Sequence, residues 1–111
     1  MGQVMYFNCF EVAPGREDDF WKLYNAVNAY MSAKPGFISN RMHRALSPDA
    51  RYRFINVPVW ESAEYFQAAH DAGFQQVVKD HVWPGFSNEG TLCEFVEERT
   101  RPAARPAGAA R

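Results

Sequence analysis

Apolar positions along this chain fall in short runs whose spacing switches between strand-like and helical, with Pro or Gly at most switches. Val4–Val12 is largely apolar on both faces, the pattern of a strand covered on two sides. Ala13-Pro14-Gly15 ends it as a turn. Glu17, Asp18 and Asp19 then suit the first turn of a helix, where carboxylates meet the positive end of the helix dipole. Phe20, Leu23, Tyr24, Val27, Tyr30 and Met31 recur at helical spacing, which predicts a helix over about 16–33, stopped by Pro35-Gly36. A second strand is predicted over 37–45, followed by a Ser47-Pro48-Asp49 turn. Arg51–Trp60 carries the β-branched and aromatic content of a buried strand. Ser62 suits the N-cap of a second helix containing Tyr65, Phe66 and Ala69. Gly73 is expected to break or bend that helix before it resumes through Phe74, Val77, Val78 and His81. Trp83-Pro84-Gly85 reads as a loop and Leu92–Glu97 as a last strand.

The order strand, helix, strand, strand, helix, strand is a ferredoxin-like α+β plan, with both helices on one face of an antiparallel sheet. The strands are apolar on both faces all the same. Met5 and Phe7 oppose Tyr6 and Phe10, and Ile55 and Val57 oppose Phe54 and Trp60. The face away from the helices therefore needs a cover, and a second copy of the chain is the simplest one. A homodimer is expected, its two sheets face to face, with a pocket in the space left between them.

One domain spans residues 1–98, followed by an Ala/Pro/Arg tail at 99–111 that is expected to be flexible. The net charge of −1, with no basic stripe, argues against nucleic acid as a partner. No apolar run reaches the roughly 18–20 residues of a membrane span, and no signal-peptide pattern opens the chain. A cytoplasmic setting follows, with Cys9 and Cys93 as free thiols and no zinc site built from them. Aromatic residues make up 15% of the chain, more than a small core needs, and the surplus suits a ligand pocket or an oligomer interface.

The candidate chemistry centres on Asn56, an amide in the apolar Arg51–Trp60 run. A buried amide is costly unless it finds partners. Alternation puts Tyr52, Phe54, Asn56 and Trp60 on one face. Asn56 is thus either a hydrogen-bonded core residue or a donor to a substrate oxygen on which charge develops. Asn8 invites the same argument from the first strand. Both amides reach one cavity if those strands are neighbours. Pro58 cannot donate to a ladder, and a bulge there would turn Asn56 and Trp60 to opposite faces. His70, Phe74, Val77, Val78 and His81 share a helical face. His70 is either a hydrogen-bonded core histidine or a general base. His43 is expected near the surface, sharing strand parity with Phe37, Ser39 and Arg41.

Three segments together, Phe10-Glu11-Val12-Ala13-Pro14-Gly15, Pro35-Gly36-Phe37 and Arg51–Trp60 with Glu61-Ser62, resemble the antibiotic-biosynthesis monooxygenase family of dimeric α+β barrel proteins. The resemblance spans about residues 3–97. One branch of that family oxidises phenols or anthrones to quinones without a cofactor. It places an Asn and a Trp four residues apart on the third strand, which Asn56 and Trp60 match. Phe66 stands where that branch has a Tyr, and its Arg aligns near Asp80. A second branch degrades haem. Asn8 matches its first-strand Asn, Ala69 stands at its Trp, and its His ligand falls near Val78, with His81 three residues on. The resemblance thus implies a monooxygenase taking a small aromatic substrate and dioxygen with no cofactor or metal. Asn56, Trp60, His70 and Asn8 would be catalytic, with Phe66, Phe74 and Tyr52 contacting substrate. The alternatives are a haem protein with His81 as ligand and a non-catalytic ligand-binding module.

Overall fold

Seven elements build the domain: β1 (Val4–Glu11), α1 (Glu17–Ser32), β2 (Phe37–Arg44), β3 (Phe54–Trp60), α2 (Ala63–Ala69), α3 (Ala72–His81) and β4 (Ser87–Glu94). The structure, a computed structural model, describes residues 2–103. Of the tail expected to be flexible, residues 104–111 lie outside the described residues. The strands pair in the order β2-β3-β1-β4, all neighbours antiparallel, which is the ferredoxin-like arrangement.

Strand alternation sends Val4, Tyr6, Asn8 and Phe10 of β1 toward the helices, together with Phe54, Asn56, Pro58 and Trp60 of β3. Pro58 does not bulge the strand. Toward β1 the ladder lapses between Val59 and Asn56, but the register is the same on both sides of the gap. The bulge lies instead on β2, between Phe37 and Ser39. It turns Phe37 inward against Trp60, so Phe37 does not share a face with Ser39, Arg41 and His43 as simple alternation predicts.

The second predicted helix is two. Its break falls at His70-Asp71, ahead of the Gly73 read as the breaker. Ser62 caps α2 by accepting from Tyr65 N, and Asp71 caps α3 by accepting from Phe74 N at 3.0 Å. Gly73 sits inside α3 because a Cβ there would collide with the Tyr30 hydroxyl of α1. The last strand begins earlier than predicted, at Ser87, and residues 95–103 form no regular element.

The apolar core is in two pieces. One cluster gathers Val4, Met31, Trp60 and Ala69, and the other Phe10, Phe20 and Phe54. Phe20 and Phe54 stack at 4.4 Å and are fully buried. On the opposite face of the sheet, Met5, Phe7, Ile55, Val57 and Val59 meet no helix, and Phe7 is 40% exposed.

Candidate functional site

Each strand carries one asparagine on its helix-facing side: Asn40 on β2, Asn56 on β3, Asn8 on β1 and Asn88 on β4. Asn8 and Asn56 are direct cross-strand partners, so the two amides suspected from sequence do meet. Asn40 pairs with Pro58, and Asn88 with Phe10, which makes each a diagonal neighbour of that central pair. All four line a cavity of about 280 Å³ between the sheet and the helices. The cavity thus belongs to a single chain, on the face opposite the one where a pocket between two sheets was expected.

The amides are unequally satisfied. Asn88 Nδ2 donates to Asn8 Oδ1 at 2.9 Å, which leaves Asn8 Nδ2 as the open group. Asn40 Nδ2 donates to Asn28 Oδ1 of α1 at 2.9 Å. Asn40 Oδ1 and Asn56 Oδ1 are buried and have no partner among the described residues. A buried polar atom left so costs about 1–3 kcal/mol. Such groups are retained where a ligand or water relieves them.

Apolar rings close the cavity. Trp60, 1% exposed, packs edge-on against Phe37 and Phe66. Phe66 also meets Tyr6 at 4.9 Å. The Tyr6 phenol lies over Gly90 of β4, where any Cβ would strike its hydroxyl. Burial pushes the Tyr6 and Tyr24 phenols above their ordinary pKa, so both line the cavity as neutral O–H groups at neutral pH.

His70 ends α2, its ring 4.3 Å from Phe66 and 4.6 Å from Phe74. Its Nδ1 lies 2.6 Å from the Phe66 carbonyl oxygen. A carbonyl only accepts, so Nδ1 carries the proton and donates. In the neutral ring Nε2 then holds a free lone pair. A histidine held this way, lining an apolar cavity, can take a proton from a bound ligand.

Trp60, Phe66 and Phe74 all line the cavity with Asn8, Asn56 and His70. Two of the candidates do not. Tyr52 precedes β3, and its hydroxyl donates to Glu89 away from the cavity, because regular alternation begins only at Phe54. His81 is exposed at the end of α3 with Nδ1 2.8 Å from the Val77 carbonyl oxygen, one turn past the last cavity residue of that helix, Val78. His43 is exposed, as expected. Sequence reasoning missed Tyr6, Tyr24, Asn40, Gln75 and Asn88. Tyr6 had a signal, two residues from Asn8 on one strand. Asn40 had one too, the strand parity opposite Ser39, Arg41 and His43, whereas Asn88 lay in the unassigned stretch ahead of the predicted last strand. Among the described residues no group of three or more His, Cys, Asp or Glu side chains is placed to hold a metal ion, and no helix is long and apolar enough to cross a membrane.

The family model for antibiotic biosynthesis monooxygenases matches residues 4–80, which is most of the domain just described. The chain belongs to this family. Among solved structures, a provisionally assigned monooxygenase from Shewanella loihica is 23% identical, covers 87% of this chain and 97% of its own, and superposes with a TM-score of 0.76. The cofactor-independent oxygenase SnoaB from Streptomyces nogalater is 21% identical over 93% of this chain and 100% of its own, with a TM-score of 0.64. A variant of MhuD with two manganese protoporphyrin IX molecules per active site is 22% identical over 88% of this chain and 99% of its own, with a TM-score of 0.68. No curated protein matches the chain. At these identities the likeness to solved structures speaks for the fold, and members of this fold include both a cofactor-free oxygenase and a porphyrin binder.

Proposed function

We propose that this chain is a cofactor-independent monooxygenase that oxidises a phenolic or polycyclic aromatic substrate with dioxygen, on to a quinone where the substrate allows it. The observation that carries the reading is the meeting of a histidine with a free Nε2 and an unpartnered amide, Asn56, in one aromatic-walled cavity. His70 Nε2 takes a proton from the substrate. Asn8 Nδ2 donates to the oxygen on which negative charge collects, and Asn56 adds its Nδ2 when its carboxamide, whose Oδ1 is unpartnered, turns that group to the substrate. The resulting anion is electron-rich enough to reduce dioxygen directly, and the rings of Trp60, Phe66 and Phe74 keep water from quenching it. One oxygen atom enters the ring and the other leaves as water. We propose further that a second copy of the chain covers the open face of the sheet, leaving both cavities complete.

Oxygen uptake with a model anthrone tests the reading. Asn56→Ala is expected to lower kcat by about a hundredfold, the effect of removing one oxyanion donor. Equal rates in both proteins would remove Asn56 from the mechanism. No uptake by the wild type would favour the alternative of a ligand-binding module. The haem alternative keeps Asn8 in the cavity but has His81 outside it, so His70 is the histidine available to a porphyrin there. A Soret shift on haem titration that His81→Ala abolishes would restore the original form of that alternative.

A further inference from the structure

The two core clusters do not touch across the cavity; the asparagine row runs between them. On β1, Asn8 stands between Tyr6 and Phe10, and on β3, Asn56 stands between Phe54 and Pro58. Trp60, Phe66 and Tyr6 therefore wall one side of the cavity and Phe10, Phe20 and Phe86 the other, with carboxamides along the floor. The row crosses four strands obliquely, since Asn40 is level with Pro58 and Asn88 with Phe10 and Phe54; three inter-strand spacings and four residues along the strands make it roughly 20 Å, enough for the rim of several fused rings.

A flat aromatic ligand has two ways to enter such a slot. Lying on the floor, it would set its π-face on the amides and leave them unmet. Standing on edge, it buries both faces against the aromatic walls and brings its rim to the amides. The second pose meets both demands. The open atoms of the row are also not alike. Asn88 occupies the acceptor of Asn8, so Asn8 offers N–H. Asn28 occupies the donor of Asn40, so Asn40 offers its oxygen. Asn56, between them and unpartnered, can turn to offer either.

From this we infer that Asn8, Asn40, Asn56 and Asn88 act as one reading edge, selecting a flat ring system that carries a carbonyl and hydroxyls along a single rim and holding it on edge across the strands. The inference rests on the reading that the site takes an aromatic substrate, and it adds Asn40 and Asn88 as specificity-setting residues. Asn88 acts through Asn8, fixing which group that amide turns to the ligand.

Two anthraquinone isomers test it, one with hydroxyls flanking a single carbonyl and one with hydroxyls at opposite ends. Quenching of tryptophan fluorescence measures their affinities. The one-rim isomer is expected to bind at least about tenfold more tightly, the discrimination of one or two well-placed hydrogen bonds. Asn8→Ala is expected to erase most of that preference. Asn88→Ala, at an exposed position, is expected to reduce it by a smaller factor than Asn8→Ala does. Equal affinities in the wild type, no binding of either isomer, or a preference untouched by both substitutions would overturn the inference. Oxygen uptake separates it from the oxygenase reading. Rim preference without uptake leaves the inference standing and removes the activity, and uptake without preference does the reverse.

Discussion

Whether His70 can act as a base depends on one backbone atom, the Phe66 carbonyl oxygen one helical turn back. That acceptor fixes the tautomer without using Nε2. His70→Gln is accordingly expected to cut kcat by about 10²–10⁴, the range for a general base. Affinity for the quinone probe should change far less than kcat, because Trp60, Phe66 and Phe74 remain in place. A variant that keeps its rate would remove His70 from proton transfer. Asn56 was conspicuous in the sequence for the same physical reason that it stands out in the structure, since an amide has no place in an apolar strand unless something meets it. Asn8 followed from the same logic once β1 and β3 proved to be neighbours. Asn40 could have been read from the parity opposite Ser39, Arg41 and His43, whereas Phe37 could not, because a bulge ahead of Ser39 turns it inward. Asn88 was not legible, since a Ser-Asn-Glu-Gly run carries no strand propensity.

The junction of α2 and α3 hangs on Asp71. It caps α3, accepts from the Tyr30 hydroxyl of α1 at 2.6 Å, and pairs with Lys34 Nζ at 2.6 Å. Lys34, then Tyr30 and the Phe74 amide, hold its carboxyl well below the ordinary carboxylate range. A carboxyl with its folded pKa lowered stabilises the fold above its unfolded pKa of about 3.9 and loses that contribution as pH falls further. Wild-type stability is therefore expected to fall below about pH 4, with a shallower fall in Asp71→Asn. Urea midpoints across that range would check this, and parallel curves would sink it. Asp71→Ala should also lower the thermal midpoint at neutral pH by removing the cap. Gly73 looked like the breaker because glycine is the weaker helix former. It is there for the passage of the Tyr30 ring, which depends on α1 and cannot be seen locally. The Asp71 cap was present in the sequence as a polar residue ahead of a helical apolar stripe.

For the molecule as a whole, element order alone led to the ferredoxin-like plan, because few topologies accommodate it. The location of the cavity did not follow, since sequence shows which residues share a face and not which face the helices leave unfilled. The open face remains the strongest argument for a second copy: Met5, Phe7, Ile55, Val57 and Val59 form a continuous apolar surface with no cover from the helices. Sedimentation equilibrium at micromolar concentration is expected to give twice the chain mass, and Phe7→Glu to shift it toward one chain without unfolding. A wild-type monomer would leave that surface needing a different explanation. The two-piece core also bears on how such a protein diverges. Apart from Tyr6, the rings that wall the slot are at the same time packing for one of the two small clusters among the described residues, so a change that widens the space also thins the packing that keeps the chain folded. The asparagines belong to neither cluster. Exchanging them alters what the slot will accept with little loss of packing, so new ligand preferences are most accessible through the floor, with the walls held fixed.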